Sequence, residues 1–266
     1  MEAAEFLNRG LRDRTRALIG WCVGVAAYIA LIAAIFPSIE GSANFDELVQ
    51  NYPEALKSLF GFSGNLTSGS GFIDTELFNL MLPLLAIVLA ISLGTRTLAA
   101  EEEAGRLELP FAYPVRRRDG VVAKGLAVGV EVAIFSAVVF LALKLLDPVF
   151  GLDLPLGRLA AAVIGLGLLA VLHGWLSLAV GAAHPSRALA IAVPAAFAAF
   201  SFLVNGLHQL ASWLDPFRFL SSFWWIGQSP LSDGVRLIGL LVVGLAAVLS
   251  LGAAALLIER RDLQVP

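Results

Sequence analysis

The chain has 266 residues, of which 58% are hydrophobic and 15% charged, and its mean hydropathy is +0.83. Soluble domains carry about 45–50% apolar and about 25% charged residues, so this composition excludes a soluble protein and predicts an all-α integral membrane protein. The net charge of −3, without a long basic tract, gives no indication of a nucleic-acid partner, and the single cysteine rules out a disulfide framework or a cysteine metal cluster.

The N-terminal segment, residues 1–16, combines helically spaced apolar side chains with four arginines. This pattern predicts an amphipathic helix that lies at the membrane interface. The first apolar run, Leu18 to Phe36, has about the length that a bilayer core requires, and Pro37 ends it. A polar outer loop over residues 38–74 follows, and its apolar spacing predicts one or two short surface helices.

Five more apolar runs of membrane length follow along the chain. The predicted spans two to six are 76–98, 121–146, 156–180, 188–204 and 235–258. The fourth is rich in glycine, which favours close packing between helices. An outer segment over residues 205–233 is too polar to span but dense in aromatic side chains, which is typical of the headgroup interface.

The distribution of Lys and Arg predicts the orientation. With both termini placed on the same side as residues 99–120 and 183–187, that side holds 13 of the 18 Lys and Arg residues. Cytoplasmic loops carry the excess of positive charge, so we expect both termini to be cytoplasmic in a multi-pass protein of the plasma (inner) membrane.

The most distinctive stretch is the charged segment between spans two and three, AAEEEAGRLELPFAYPVRRR. Three carboxylates open it, Gly105 interrupts it, and a short helical pattern follows before Pro110 and Pro114 stop the helix. Three arginines close the segment. We interpret it as a cytoplasmic docking element that the flanking helices hold in place, with a solvated loop as the alternative.

Two polar residues fall inside predicted spans. Glu131 lies in span three, where a carboxylate costs about 2.5–3.5 kcal/mol on insertion scales, and His173 in span four is its best candidate partner. Glu131 is either a functional group that faces a cavity or a neutralised carboxyl packed between helices, and the sequence leaves both open. His173 alone is interpreted as a hydrogen-bonded core residue.

No enzymatic motif is present. The stretch Gly120 to Gly125 lacks the residue order of a phosphate-binding loop, and there is neither HExxH nor GxSxG. The three histidines have no metal-ligand spacing. The sequence therefore predicts a protein without catalysis or a metal site of its own.

The charged segment resembles the cytoplasmic segment of ABC transporter permeases of the type-2 exporter class. The matching positions are Glu102, Glu103, Gly105, Leu107, Glu108, Leu109, Pro114, Val115 and Arg117. The resemblance extends to the whole plan of an N-terminal amphipathic helix, six spans and a large first outer loop. Arg106 and Pro110 depart from the family pattern, so we expect the helix to end about a turn early.

The resemblance implies that residues 1–266 form a single transmembrane permease domain whose charged segment docks as a coupling helix on a separate ATPase subunit. The implied docking residues are Glu101, Glu102, Glu103, Gly105, Arg106, Leu107, Glu108, Leu109, Pro114 and Arg117. The implied partners are two ATPase copies, a second permease copy, identical or paralogous, and membrane lipids. ATP and magnesium would bind to the ATPase, and this chain would hold no cofactor.

Two other functions stay open at this point. A proton-coupled secondary transporter would use Glu131, although the two halves of the chain show no internal repeat. An intramembrane enzyme or a scaffold would need paired polar residues at one depth, and only Glu131 and His173 approach that arrangement.

Overall fold

The computed structural model describes residues 2–40, 53–60, 66–99 and 117–260, and side chains from Thr15 onward except that of Phe60. Within these ranges every regular element is a helix. The long helices are α1 (Glu2–Ile35), α4 (Met81–Thr97), α5 (Arg117–Phe150), α6 (Leu156–Ala183), α7 (Arg187–Leu207) and α9 (Leu237–Glu259). The short ones are α2 (Glu54–Phe60), α3 (Gly69–Ile73) and α8 (Ser222–Ile226), with 3-10 turns at Phe36–Ser38 and Asp215–Leu220 and a π-helical turn at Asp74–Phe78.

Six helical stretches are long and apolar enough to cross a membrane. They are Thr15–Ser38, Gly69–Thr97, Arg117–Phe150, Leu156–Ala183, Arg187–Leu207 and Leu237–Glu259. The six predicted spans are confirmed, and their ends agree to within about one helical turn except at the start of the second. The protein is therefore a multi-pass membrane protein.

The second span begins earlier than predicted and in three pieces. Ser68 caps α3, because its Oγ accepts the backbone N–H of Gly71 at 3.2 Å. The π-helical turn follows, and α4 starts only at Met81. Pro83 therefore lies in the first turn of α4. Backbone N–H groups there have no intrahelical acceptor, so the proline costs the helix no hydrogen bond.

Helix α6 is the centre of the bundle. It packs against α4, α5, α7 and α9, whereas α1 packs mainly against α5. The largest buried cluster joins α1, α4, α5 and α6, with Ile29, Leu82, Phe135 and Leu159 fully buried among its members. An apolar face on each of these helices thus fixes the arrangement of the spans.

The bundle has two ends that differ in what they carry. The segment end is the end at which Ala99 and Arg117 border the charged segment, and it holds the ends of α4, α6 and α9 and the start of α5. The loop end holds α2, α3, α8 and the 3-10 turns, and Phe36 after α1 meets Phe72 there at 5.6 Å between ring centroids. Helix α1 therefore begins at the segment end, and helix α9 ends there.

The residues predicted to form an N-terminal interfacial helix belong to α1, which runs without a break from Glu2 into the first span, and their place at the membrane interface stays a prediction. Within residues 38–74, the predicted outer loop, α2 matches one of the predicted short helices. The aromatic-rich outer segment forms the second 3-10 turn and α8, which lie at the loop end between α7 and α9.

Candidate functional site

The predicted docking segment falls largely outside the described residues, which omit 100–116. Nine of the ten predicted docking residues lie there: Glu101, Glu102, Glu103, Gly105, Arg106, Leu107, Glu108, Leu109 and Pro114. The tenth, Arg117, is the first residue of α5 and is exposed. The described residues on either side form the frame that positions the segment.

This frame is a buried apolar cluster, here called the anchor cluster. Its members are Leu98, Val121, Leu178, Ala179, Ala182, Leu251, Ala254 and Ile258. Leu98 directly follows α4 and Val121 lies near the start of α5, and both are fully buried. The two ends of the charged segment are therefore seated in one cluster, against the ends of α6 and α9.

Polar contacts tie the same ends together. Lys124 of α5 donates from Nζ to the carbonyl oxygen of Thr97 at 2.8 Å. The last carbonyls of a helix lack intrahelical partners and favour a cation, so this bond stabilises the end of α4. Arg118 Nε lies 3.8 Å from Glu259 Oε1, which joins α5 to α9 through an exposed and therefore weak ion pair.

The last two turns of α4 are locked onto α6. A Cβ on Gly94 would collide with the backbone carbonyl oxygen of Gly174, so the two helices approach to backbone contact. At the next residue of α4, and about one turn further along α6, Thr95 Oγ1 and Ser177 Oγ are 2.9 Å apart in a buried hydrogen bond. Small residues and buried hydroxyls together form a tight helix pair, as the glycines of the fourth span predicted.

The structure does not join Glu131 and His173 by a hydrogen bond. His173 is fully buried in α6; its Nδ1 lies 2.8 Å from the carbonyl oxygen of Leu169, and its Nε2 has no hydrogen-bond partner. The ring stacks on Phe197 of α7 with 5.4 Å between centroids. Glu131 is half-buried on α5. His173 therefore has the surroundings of a core residue.

At the loop end, Asp74 is a buried acidic residue that the sequence did not single out. Its two carboxylate oxygens accept the backbone N–H groups of Leu231 and Ser232 at 2.9 and 2.8 Å. Arg158 donates to the carbonyl oxygens of the same two residues. The Arg158 side chain therefore holds the same turn before α9 that Asp74 holds.

The aromatic outer segment is organised around Trp224. Its ring is 5.2 Å from Phe219 and 4.8 Å from Trp225, and Arg218 and Arg236 lie over it at 5.5 and 5.8 Å. Such cation–π pairs and the exposure of Phe219 suit a membrane–water interface. Within the described ranges no three His, Cys, Asp or Glu side chains are close enough to hold a metal ion.

Similarity to known proteins is found at the level of a protein family. No curated protein and no solved structure matches the chain. A family model described as the C-terminal domain of the multidrug efflux system permease Rv1217c matches residues 10–257, which include the first five spans, the charged segment and all but the last two residues of the sixth span. Because this match covers nearly the whole chain, the protein belongs to the family of the multidrug efflux permease Rv1217c C-terminal domain.

Proposed function

We propose that the protein is the membrane-spanning permease subunit of an ABC exporter of the type-2 class. Its membership of an efflux permease family supports the transport role. The observation that carries the coupling role is the anchor cluster, which seats both Leu98 and Val121, the residues that flank the charged segment. A force applied to the segment would reach the spans directly through this cluster.

Coupling then follows from the packing of α4. ATP-driven closure of two ATPase subunits would push on the docking residues, Glu101 to Arg117, and move α4 and α5 with them. Because Gly94 and Thr95 lock α4 onto α6, the displacement would pass to the centre of the bundle rather than bend one helix. The transport pathway would lie between this chain and a second permease copy.

The chain itself would supply no catalysis. ATP and magnesium would bind to the ATPase subunits, and the permease would contribute the docking segment, the moving helices and the outer gate. Its place would be the plasma membrane, with the segment end and both termini in the cytoplasm.

The test is co-purification of the permease with the ATPase encoded beside it. The double variant Glu103→Arg and Gly105→Pro would reverse one docking charge and stiffen the segment at its glycine. We expect the wild type to retain the ATPase and to stimulate its ATP hydrolysis, and the variant to lose both. Arg260→Glu serves as a charge-reversal control, because it changes an exposed residue of the same end outside the segment.

Two outcomes would contradict the proposal. A variant that binds and stimulates the ATPase like the wild type would leave the segment as a solvated loop. Efflux that survives ATP depletion but collapses with the proton gradient would instead favour a secondary transporter that uses Glu131.

A further inference from the structure

The ring of Trp224 at the loop end holds two guanidinium groups. The Cζ atoms of Arg218 and Arg236 lie 5.5 and 5.8 Å from its centroid, so the two like charges are no further apart than the sum of these distances. Arg218 belongs to the 3-10 turn before α8, and Arg236 is the residue that directly precedes α9. Two separate segments of the chain therefore bring their cations to one aromatic ring.

Packing fixes both arginines on this ring. Trp225 Nε1 donates to the carbonyl oxygen of Phe219 at 2.9 Å, which ties the turn that carries Arg218 to α8. The start of α9 packs on α8 through Gly239, where a Cβ would collide with the carbonyl oxygen of Trp225. The fold therefore holds the two cations in place without a ligand.

In the part of the chain that the structure describes, one of the two cations has a counter-charge in contact and the other has none. Arg218 Nη1 donates to Asp215 Oδ1 at 2.8 Å. No described residue forms a hydrogen bond or an ion pair with the guanidinium of Arg236, although Asp233 is three positions away. The exposed guanidinium of Arg236 therefore keeps its donors available for an anion.

The two arginines lie at the depth of the lipid headgroups. Helix α9 has 23 residues, which gives about 35 Å at 1.5 Å per residue and slightly exceeds a hydrocarbon core of about 30 Å. Leu237 directly follows Arg236 and is 71% exposed. Phe219 directly follows Arg218 and is 53% exposed. Both cations therefore stand beside apolar side chains that meet lipid.

Charge and shape define the ligand. A guanidinium presents its donors as a planar fork that matches the oxygens of a phosphate. At this depth phosphates belong to phospholipids, and a zwitterionic headgroup would bring an ammonium group toward two cations. A headgroup whose only charge is its phosphate avoids that repulsion.

We infer that Trp224, Arg218 and Arg236 form a binding site for the phosphate of an anionic phospholipid in the leaflet at the loop end. Arg236 supplies the principal contact, and Trp224 holds both guanidinium groups in place. The exposed apolar side chains beside them meet the acyl chains. The site lies at the end opposite to the charged segment, and it depends neither on the proposed ATP coupling nor on which leaflet is cytoplasmic.

Native mass spectrometry of the full chain in detergent tests the site. The probes are dioleoylphosphatidylglycerol, dioleoylphosphatidylcholine with the same acyl chains, and dioleoylglycerol, which has no phosphate. We expect saturable binding of one phosphatidylglycerol molecule, with a higher affinity than the other two lipids have. Arg236→Gln should weaken this binding roughly fivefold, the contribution of one basic residue near an anionic membrane surface, and leave that of dioleoylglycerol unchanged.

Two further variants separate an organised site from a free charge. Trp224→Leu keeps both arginines but removes the ring that holds them, so it should also weaken the binding of phosphatidylglycerol. Lys144→Gln removes another cation of the loop end, whose Nζ already pairs with Asp147 Oδ2 at 3.1 Å, and should have no effect. Because Arg236 is exposed, Arg236→Gln should leave the melting temperature in the same detergent unchanged.

Four outcomes would each overturn the inference. Equal binding of the three lipids would mean that only hydrocarbon coats this surface, and equal effects of Arg236→Gln and Lys144→Gln would mean that any cation at this end suffices. Binding by Trp224→Leu at the wild-type level would show that the ring organises nothing. Displacement of phosphatidylglycerol by an excess of inorganic phosphate would assign the site to a free anion instead of a lipid.

Discussion

Asp74 links the second span to the turn before α9. It is 2% exposed, and both oxygens of its carboxylate accept backbone N–H groups from residues more than 150 positions away in the chain. A hydrogen bond to a charged group contributes about 1.5–3 kcal/mol to stability, which is more than a neutral one contributes. Arg158 completes the clamp through the carbonyl groups of the same turn.

We predict that Asp74→Ala lowers the free energy of unfolding by about 2–3 kcal/mol, because it leaves the N–H groups of Leu231 and Ser232 buried without an acceptor. The measurement is denaturant unfolding of the protein in detergent micelles. Asp233→Ala removes a neighbouring exposed carboxylate and should change the stability by less than about 0.5 kcal/mol. Equal effects of the two substitutions would refute the clamp.

At the scale of elements, the contact between α4 and α6 holds the helix that leads into the charged segment. Gly94 and Gly174 bring the backbones together, and Thr95 and Ser177 add a buried hydrogen bond. Leu98 then carries the chain into the anchor cluster. Helix α4 is therefore fixed on α6 up to the point where the segment begins.

Gly94→Leu should disrupt this helix pair, since its side chain would meet the backbone of Gly174 rather than a flexible side chain. We expect a loss of stability of at least about 1–3 kcal/mol, the usual cost of overpacking, or failure to fold. Thermal unfolding followed by size-exclusion chromatography measures it. Gly24→Leu on α1, where a Cβ would meet nothing within 4 Å, is the control, and a control as unstable as the variant would contradict the expectation.

At the scale of the whole molecule, the Lys and Arg residues of the described ranges form two groups, one at each end of the bundle. Five of them lie at or near the loop end: Lys57, Lys144, Arg158, Arg218 and Arg236. Lys124, Arg187 and Arg260 are among the cations of the segment end. For these residues the structure agrees with the grouping from which the orientation was predicted, and the orientation in the membrane stays a prediction.

Cysteine labelling in intact cells tests that orientation. In a Cys22→Ser background, Asp233→Cys at the loop end should react with a membrane-impermeant maleimide. Arg260→Cys at the segment end should react only after the membrane is permeabilised, because the more basic end faces the cytoplasm. The reverse pattern would mean that the termini are external.

The number and order of the spans followed from the sequence, because length and apolarity are local properties that a helix must have to cross a bilayer. The glycines of α6 likewise indicated close packing, since a residue without a side chain lets another backbone approach. The start of the second span was placed too late. The sequence shows Asp74 and Glu76 as polar, whereas the structure buries Asp74 against the turn at Leu231.

By itself, then, the sequence determined an all-helical membrane protein with six spans and a charged segment between the second and third. Only the tertiary structure decided that one cluster seats both ends of this segment and that His173 bonds to its own helix rather than to Glu131. The physical reason is the distance along the sequence between the residues that determine each feature. Hydropathy acts within one helix, whereas the partner of a buried polar group comes from wherever the fold brings another chain segment.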